Sequence, residues 1–198
     1  LVIGSEFHSG GLDLTTRGRN ISVIFGDGAG AVVMTRTESN SIGILNSQLH
    51  SEGKHAKELS LIGPSTGRWV PEIMKENNPE DISYYPFMNG QFVFKNAVVR
   101  FTEVINAGLK KAGWKPNEID MLIPHQANLR IAQFVQKKFG LSDNQVYNNI
   151  QRYGNTTAAS IPIALTEAWE EGKIEKGNKV VLAAFGSGFT WGSIMIQW

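Results

Sequence analysis

Apolar residues recur along the chain with two different periods, and the switches between them outline its elements. Leu1-Val-Ile-Gly4 predicts a buried strand, and the polar, glycine-containing stretch from Ser5 to Asn20 a loop. Ile21-Ser-Val-Ile-Phe25 predicts a second strand. After Gly26-Asp-Gly-Ala-Gly30, the β-branched run Ala31-Val-Val-Met-Thr35 continues as strand, and Ile42 to His50 predicts a third. From Ser51 to Tyr85 the periodicity fades, with breakers at Gly63-Pro64, Asn77-Asn78-Pro79 and Pro86. An irregular segment of this length inside a compact domain points to a binding loop.

The strongest helical signal lies between Gly90 and Gly113. Phe94, Ala97, Val98, Phe101, Val104, Ile105, Leu109 and Ala112 share one face, Gly113 ends it and Pro116 prevents its resumption. Met121-Leu-Ile then predicts a short buried strand stopped by Pro124. A second helix follows from Leu129 to Phe139, with Ile131, Ala132, Val135 and Phe139 on its apolar face. Val146 to Asn148 predicts another short strand. A last helix is expected with Ile161, Leu165, Ala168 and Trp169 inward and Pro162 in its first turn. Lys179 to Phe185 and Phe189 to Trp198 predict a closing hairpin turned through Gly186-Ser-Gly188. Strands and helices in this order argue for an α/β layered fold.

Composition narrows the picture only a little. At 198 residues and 41% hydrophobic the chain can bury a sizeable core, and a formal net charge of +1 gives no global field for nucleic acid or an anionic membrane. There is no cysteine, hence no disulfide, thiolate nucleophile or cysteine metal site. No run of about 18 apolar residues and no signal peptide is found, which points to a soluble, cytoplasmic protein. The chain opens without methionine, already inside a predicted strand, which implies that the front of the protein lies elsewhere.

Candidate chemistry gathers at three places. His125 follows a strand and precedes a helix, where open α/β sheets usually put their chemistry, although a histidine can equally satisfy a turn there. Asn155, in Gln151-Arg-Tyr-Gly-Asn-Thr-Thr-Ala-Ala-Ser160, is either a helix cap or a functional amide. The glycines around Ser187 are either a structural turn or the source of a free backbone N–H for an oxyanion. Ser187 is not a nucleophile-elbow serine, because Phe185 precedes it and a strand follows. Gly26 to Gly30 lacks the helix a phosphate cradle needs, so a tight turn or close backbone approach is expected. His8, His50 and His55 have no ligand-like spacing, and no metal site is expected.

Together, Ile123-Pro-His-Gln-Ala-Asn-Leu-Arg130, Tyr153-Gly-Asn-Thr-Thr-Ala-Ala-Ser160, Phe185-Gly-Ser-Gly-Phe-Thr-Trp-Gly192 and Phe25-Gly-Asp-Gly-Ala-Gly-Ala31 closely resemble β-ketoacyl-acyl-carrier-protein synthase III, a condensing enzyme of the thiolase superfamily. The resemblance runs from Leu1 to Trp198. It implies an α-β-α-β-α sandwich of two related halves. Here residues 1–38 would be the last strands of the N-terminal half and residues 39–198 the C-terminal half. It implies an acyltransferase of fatty acid biosynthesis, a homodimer as the full protein, with no cofactor. A primer acyl group would pass from acyl-CoA to a cysteine of the first half, then condense with malonyl-acyl-carrier-protein, releasing carbon dioxide.

Residue by residue, the resemblance makes His125 and Asn155 the catalytic pair and the backbone N–H of Ser187 the oxyanion donor. It places Arg19 at the adenine end of the coenzyme. Met88, Gly90, Phe94, Ala127, Asn128, Ile131 and Phe185 would line the pantetheine tunnel, and Arg130 would dock the acyl carrier protein. Lys137, Lys138 and Arg152 could add positive charge at the mouth, though solvated helix faces carry such residues too. Phe94, Phe185 and Phe189 could wall a dry pocket or simply fill the core. Such a chain would supply the His/Asn donor pair without the nucleophile and be inactive alone. Another thiolase-superfamily synthase, or a non-catalytic dimerisation half of a split protein, stays open.

Overall fold

The computed structural model describes residues 1–61 and 85–198. Most of the segment expected to form a binding loop, residues 62–84, therefore lies outside the described residues. The first strand forms as β1 (Val2–Glu6) and pairs antiparallel with β2 (Gly28–Val32). Between them the expected strand Ile21–Phe25 does not form. Arg19–Ser22 is instead a single helical turn, α1, and Val23 is 80% exposed. The backbone groups that follow bond elsewhere: Ile24 C=O accepts from Asn155 N–H, and Gly26 N–H donates to Asn155 C=O. Long-range pairing has overridden the β propensity of this run. β2 also lies earlier than expected, beginning at Gly28 and ending at Val32 rather than reaching Thr35.

The next strand is β3 (Gly43–Ser51), followed by a 3-10 turn (Gly53–Glu58) and the short antiparallel pair β4 (Leu59–Ser60) and β5 (Phe87–Met88). Helix α2 (Gly90–Ala112) starts where Asn89 accepts from Phe92 N–H and stops at Gly113, whose φ of +72° suits glycine. Its buried side includes Ala97, Phe101, Val104, Ile105 and Leu109, as expected, and Val93 in addition; Phe94 is only partly buried. After β6 (Met121–Pro124) comes α3 (Leu129–Phe139), capped by Asn128 and ended by Gly140, with the four expected apolar residues buried. Val146–Asn148 is not a strand. Val146 makes an isolated bridge to Leu122, and Tyr147 N–H donates to Leu122 C=O. The short helix α4 (Ile150–Tyr153), helix α5 (Ser160–Glu170) and the hairpin β7 (Lys179–Gly186) and β8 (Thr190–Gln197) complete the chain. On α5, Leu165 and Ala168 are buried as expected, whereas Trp169 is 57% exposed.

Four strands form one mixed sheet in the order β3-β8-β7-β6, with β6 parallel to β7 and the other pairs antiparallel. Alternation along the strands assigns the two faces. Leu122, Val181, Ala183, Phe185 and Met195 face α2 and α3, while Met121, Ile123 and Val180 pack with Ala164, Leu165 and Ala168 of α5. Both faces of β6 are thus covered, which is why its residues read as a continuous apolar run. The other side of α5 meets β2: a Cβ on Gly30 would come within 2.7 Å of Pro162 Cβ, so only glycine allows this approach. The layers run helix, sheet, helix, sheet. The change from one sheet to the other falls in residues 33–42.

Candidate active site

His125 continues the parallel pairing of β6 one residue past Pro124, its N–H donating to Ala183 C=O at 2.8 Å. Its own carbonyl accepts from Ala127 N–H at 2.9 Å, so the main chain is held on both sides. The imidazole is partly buried, with Nδ1 2.6 Å from Ser160 Oγ. Loss of hydration pulls its pKa down from 6.5 to about 4, which leaves the ring neutral at physiological pH.

The next residue, Gln126, is 3% exposed and its amide is fully used. Nε2 donates to Pro124 C=O (2.7 Å) and Tyr147 C=O (3.3 Å), while Oε1 accepts from Asn149 N–H (3.0 Å) and Ile150 N–H (3.2 Å). One buried side chain thus fastens the end of β6 to the start of α4.

Asn155 arrives by a different route. Helix α4 ends at Gly154, whose φ of +67° and ψ of −159° suit glycine, and whose hypothetical Cβ would lie 2.8 Å from Ile24 C=O. Asn155 N–H donates to Ile24 C=O at 2.8 Å and its C=O accepts from Gly26 N–H at 3.0 Å. The close backbone approach expected of the Gly26–Gly30 run is therefore real: a Cβ on Gly26 would sit 2.0 Å from Tyr153 C=O. The side-chain Oδ1 accepts from Thr157 N–H at 2.9 Å, and Thr157 holds a φ of +40°, unusual for a β-branched residue. With Oδ1 occupied, Nδ2 is the end of the amide left without a partner among the described residues. Asn155 thus caps no helix: the residues before the 3-10 turn at Thr157 and before α5 are Thr156 and Ala159, and its Oδ1 closes a tight turn onto Thr157 that fixes the amide's orientation.

Behind this turn, α4 is tied to α5 by Arg152, which pairs with Glu167 at 2.6 Å, and by Asn149 Nδ2, which donates to the same carboxylate at 2.7 Å. Tyr147 O–H donates to Glu171 at 2.7 Å; burial first, and the Glu171 carboxylate second, push the phenol up to about 12. Arg152, one of the residues that could add positive charge at the pocket mouth, is therefore paired within the fold. Arg130, Lys137 and Lys138 are exposed on α3.

His125 and Asn155 line one cavity of about 1000 Å³, together with Gly186 and Ser187 of the hairpin turn. Ser187 is exposed; its hydroxyl donates to Leu59 C=O at 2.6 Å and its C=O accepts from Thr190 Oγ1 at 3.0 Å. Met88, Gly90, Phe94, Ala127, Asn128, Ile131 and Phe185 also line this cavity. Arg19 and Arg130 do not; both are exposed, at the starts of α1 and α3. Phe189 is not a wall either. It is 1% exposed and packs against Phe185 with ring centroids 4.8 Å apart. Ser160 and Gln126 went unnoticed in the sequence, where a hydroxyl at a helix start and an amide beside a histidine look like ordinary caps. A neutral imidazole and a primary amide on one largely apolar cavity are groups that can offer N–H donors to an oxyanion.

Comparisons with known proteins bear on the chain as a whole. Residues 1–53 match the family model of 3-oxoacyl-[acyl-carrier-protein] synthase III, and residues 109–198 match the model of its C-terminal region. The chain is 42% identical over 202 residues to a β-ketoacyl-[acyl-carrier-protein] synthase III from Rhodospirillum centenum, which covers all of this chain and 58% of that protein. The crystal structure of 3-oxoacyl-[acyl-carrier-protein] synthase III from Aquifex aeolicus is similar with a TM-score of 0.85 and 40% identity, over all of this chain and 57% of that one. The Thermus thermophilus structure gives a TM-score of 0.84 and 36% identity, over all of this chain and 58% of that one. The chain thus spans somewhat more than half the length of the relatives it matches. Among the described residues no helix is long and apolar enough to cross a membrane.

Proposed function

The chain belongs to the 3-oxoacyl-[acyl-carrier-protein] synthase III family, and from that premise we propose that it forms the oxyanion-stabilising part of a decarboxylating condensing enzyme. The reaction joins an acyl group from acyl-CoA to malonyl-acyl-carrier-protein with loss of carbon dioxide. Decarboxylation leaves electron density on the malonyl thioester oxygen as an enolate. His125 Nε2–H and Asn155 Nδ2–H2 are the donors that would receive it. The observation carrying this reading is that both residues line one cavity and each already has its other polar atom engaged, Nδ1 by Ser160 and Oδ1 by Thr157. A preset donor costs no reorganisation when charge develops, and removing one such donor from comparable sites costs about 3–4 kcal/mol.

The apolar cavity wall favours departure of the carboxylate as neutral carbon dioxide. Ser187 contributes its backbone N–H to the acyl-cysteine's oxyanion. Its side chain, held by Leu59 C=O, fixes the turn that presents it. Met88, Gly90, Phe94, Ala127, Asn128, Ile131 and Phe185 receive the pantetheine arm. Arg19 and Arg130 lie outside that wall, where they can meet the adenine end of the coenzyme and the acidic carrier protein. The full enzyme acts as a cytoplasmic homodimer. The chain contains no cysteine, so by itself it offers donors but no thiol and does not turn over.

Two assays test this. Acyl-CoA added to the chain alone gives no covalent acyl adduct by mass spectrometry; an adduct reveals a nucleophile and sinks the division of labour. Joined to the cysteine-bearing segment of a family member, the chain supports condensation of acyl-CoA with malonyl-acyl-carrier-protein. Normal acylation of the cysteine with no decarboxylation of malonyl-acyl-carrier-protein and no condensation contradicts the reading.

A further inference from the structure

The geometry points to Ser160 as the residue that sets the tautomer of His125, keeping Nδ1 bare and the ring proton on Nε2. Ser160 opens helix α5 and is 2% exposed, with Oγ 2.6 Å from His125 Nδ1. The backbone N–H of Gln126 points at the same oxygen from 3.4 Å. That N–H can only donate, so it uses an acceptor site on Oγ. The hydroxyl has one proton to place, and among the described residues the single acceptor within reach is Nδ1. An imidazole that accepts at Nδ1 carries its proton on Nε2. Burial keeps the ring neutral, so this is the only N–H it has. In the opposite tautomer Nδ1–H would donate to Ser160 and leave the buried hydroxyl proton without an acceptor. Nε2 would then turn a lone pair instead of a proton to the cavity that His125 lines.

A serine this close to a histidine also resembles a nucleophile and its base. Burial argues against that: Ser160 is 2% exposed and is not part of the cavity wall, so no substrate carbonyl in the cavity meets its hydroxyl. Ser160 is a positioning residue, acting through the ring it holds. Use of the resulting Nε2–H rests on the function proposed above, whereas the tautomer itself can be measured without any substrate.

The measurement is nitrogen-15 NMR of the chain with labelled histidine at neutral pH, with His125 assigned by its loss in His125→Asn. The expected result is a protonated Nε2 and a bare Nδ1, the other tautomer being at least about tenfold rarer, the scale of one hydrogen bond to a neutral acceptor. Protonated Nδ1 in the unaltered chain overturns the proposal without recourse to any variant. In Ser160→Ala the excess of the Nε2–H form should fall several-fold, and an unchanged ratio also overturns it. If Ser160→Ala does not fold, Ser160→Cys, a weaker donor of similar size, serves for the same comparison. In the cysteine-completed enzyme Ser160→Ala should lower kcat for decarboxylation while leaving KM and cysteine acylation in place. A correct tautomer in an enzyme that does not condense counts against the proposed function and not against the role of Ser160.

Discussion

The histidine and the asparagine reach one cavity by opposite means. His125 stands at the end of a strand buried on both faces, beside a capped helix, and nearly everything that holds it is regular structure. Asn155 stands in an irregular turn between the short helix α4 and helix α5, held by backbone bonds to Ile24 and Gly26 in the segment that leads into β2. The regular side obtains its precision from a ladder that many residues share. The irregular side obtains it from a few close backbone approaches that only glycine permits, and from a threonine at positive φ. A single substitution should therefore be able to disturb the asparagine alone, whereas few can disturb the histidine alone.

The largest expected effect comes from the residue the two regions share. Gln126→Ala would strand the buried N–H groups of Asn149 and Ile150 and the carbonyls of Pro124 and Tyr147, at a cost of about 3–4 kcal/mol in urea unfolding. A loss below about 1 kcal/mol would mean that water replaces the amide and the two regions are not fastened there.

Acid should act on the histidine side. The unfolded ring binds a proton near pH 6.5 and the folded ring only near about 4, so the unfolded state holds more protons throughout that window. Stability is complete above pH 6.5 and falls as pH drops toward 4, by on the order of 3 kcal/mol. Unfolding of the chain and of His125→Asn across pH 4–7 checks this: the part of the decline that starts near pH 6.5 should be missing from the variant.

Gly26→Ala should act on the asparagine side. The new methyl would meet Tyr153 C=O, so backbone must shift, at about 2 kcal/mol of stability. The amide and backbone signals of Asn155 should move, while the nitrogen-15 signature of His125 stays as it was. Movement of both would show that the two regions are one unit.

The smallest effect concerns strain. Thr157→Asn places a residue that tolerates positive φ where threonine does not, and should raise stability by up to about 1 kcal/mol in thermal unfolding. A loss of that size instead would mean that the threonine methyl packs well enough to offset its backbone.

The same contrast explains what the sequence made legible. The surroundings of His125 are local: three apolar residues, a proline, a capping asparagine and a helix with Ile131, Ala132, Val135 and Phe139 inward lie in one short stretch, and all of it formed. Helix α2 and the closing hairpin were legible for the same reason. The Ile21–Phe25 run was misread because its partners, Tyr153 to Asn155, lie far along the chain, and local propensity carries no trace of them. Asn155 is open in the sequence between a helix cap and a functional amide; it caps no helix, its Oδ1 closing a turn onto Thr157 instead, and its proposed donor role comes only from the resemblance to condensing enzymes. Ser160 and Gln126 stayed hidden because their partners are 35, 23 and 24 positions away. Phe189 is open in the sequence between a pocket wall and the core, because an aromatic beside a glycine turn can face either way, and here the core takes it.

The central claim is that two neutral donors from these unlike regions serve one developing oxyanion. The most direct measurement compares malonyl-carrier decarboxylation with cysteine acylation in the completed enzyme carrying His125→Ala or Asn155→Ala. Decarboxylation should fall by about 10²–10³ in each variant while acylation by acyl-CoA proceeds at close to its usual rate. Decarboxylation at the unaltered rate in either variant would contradict the account.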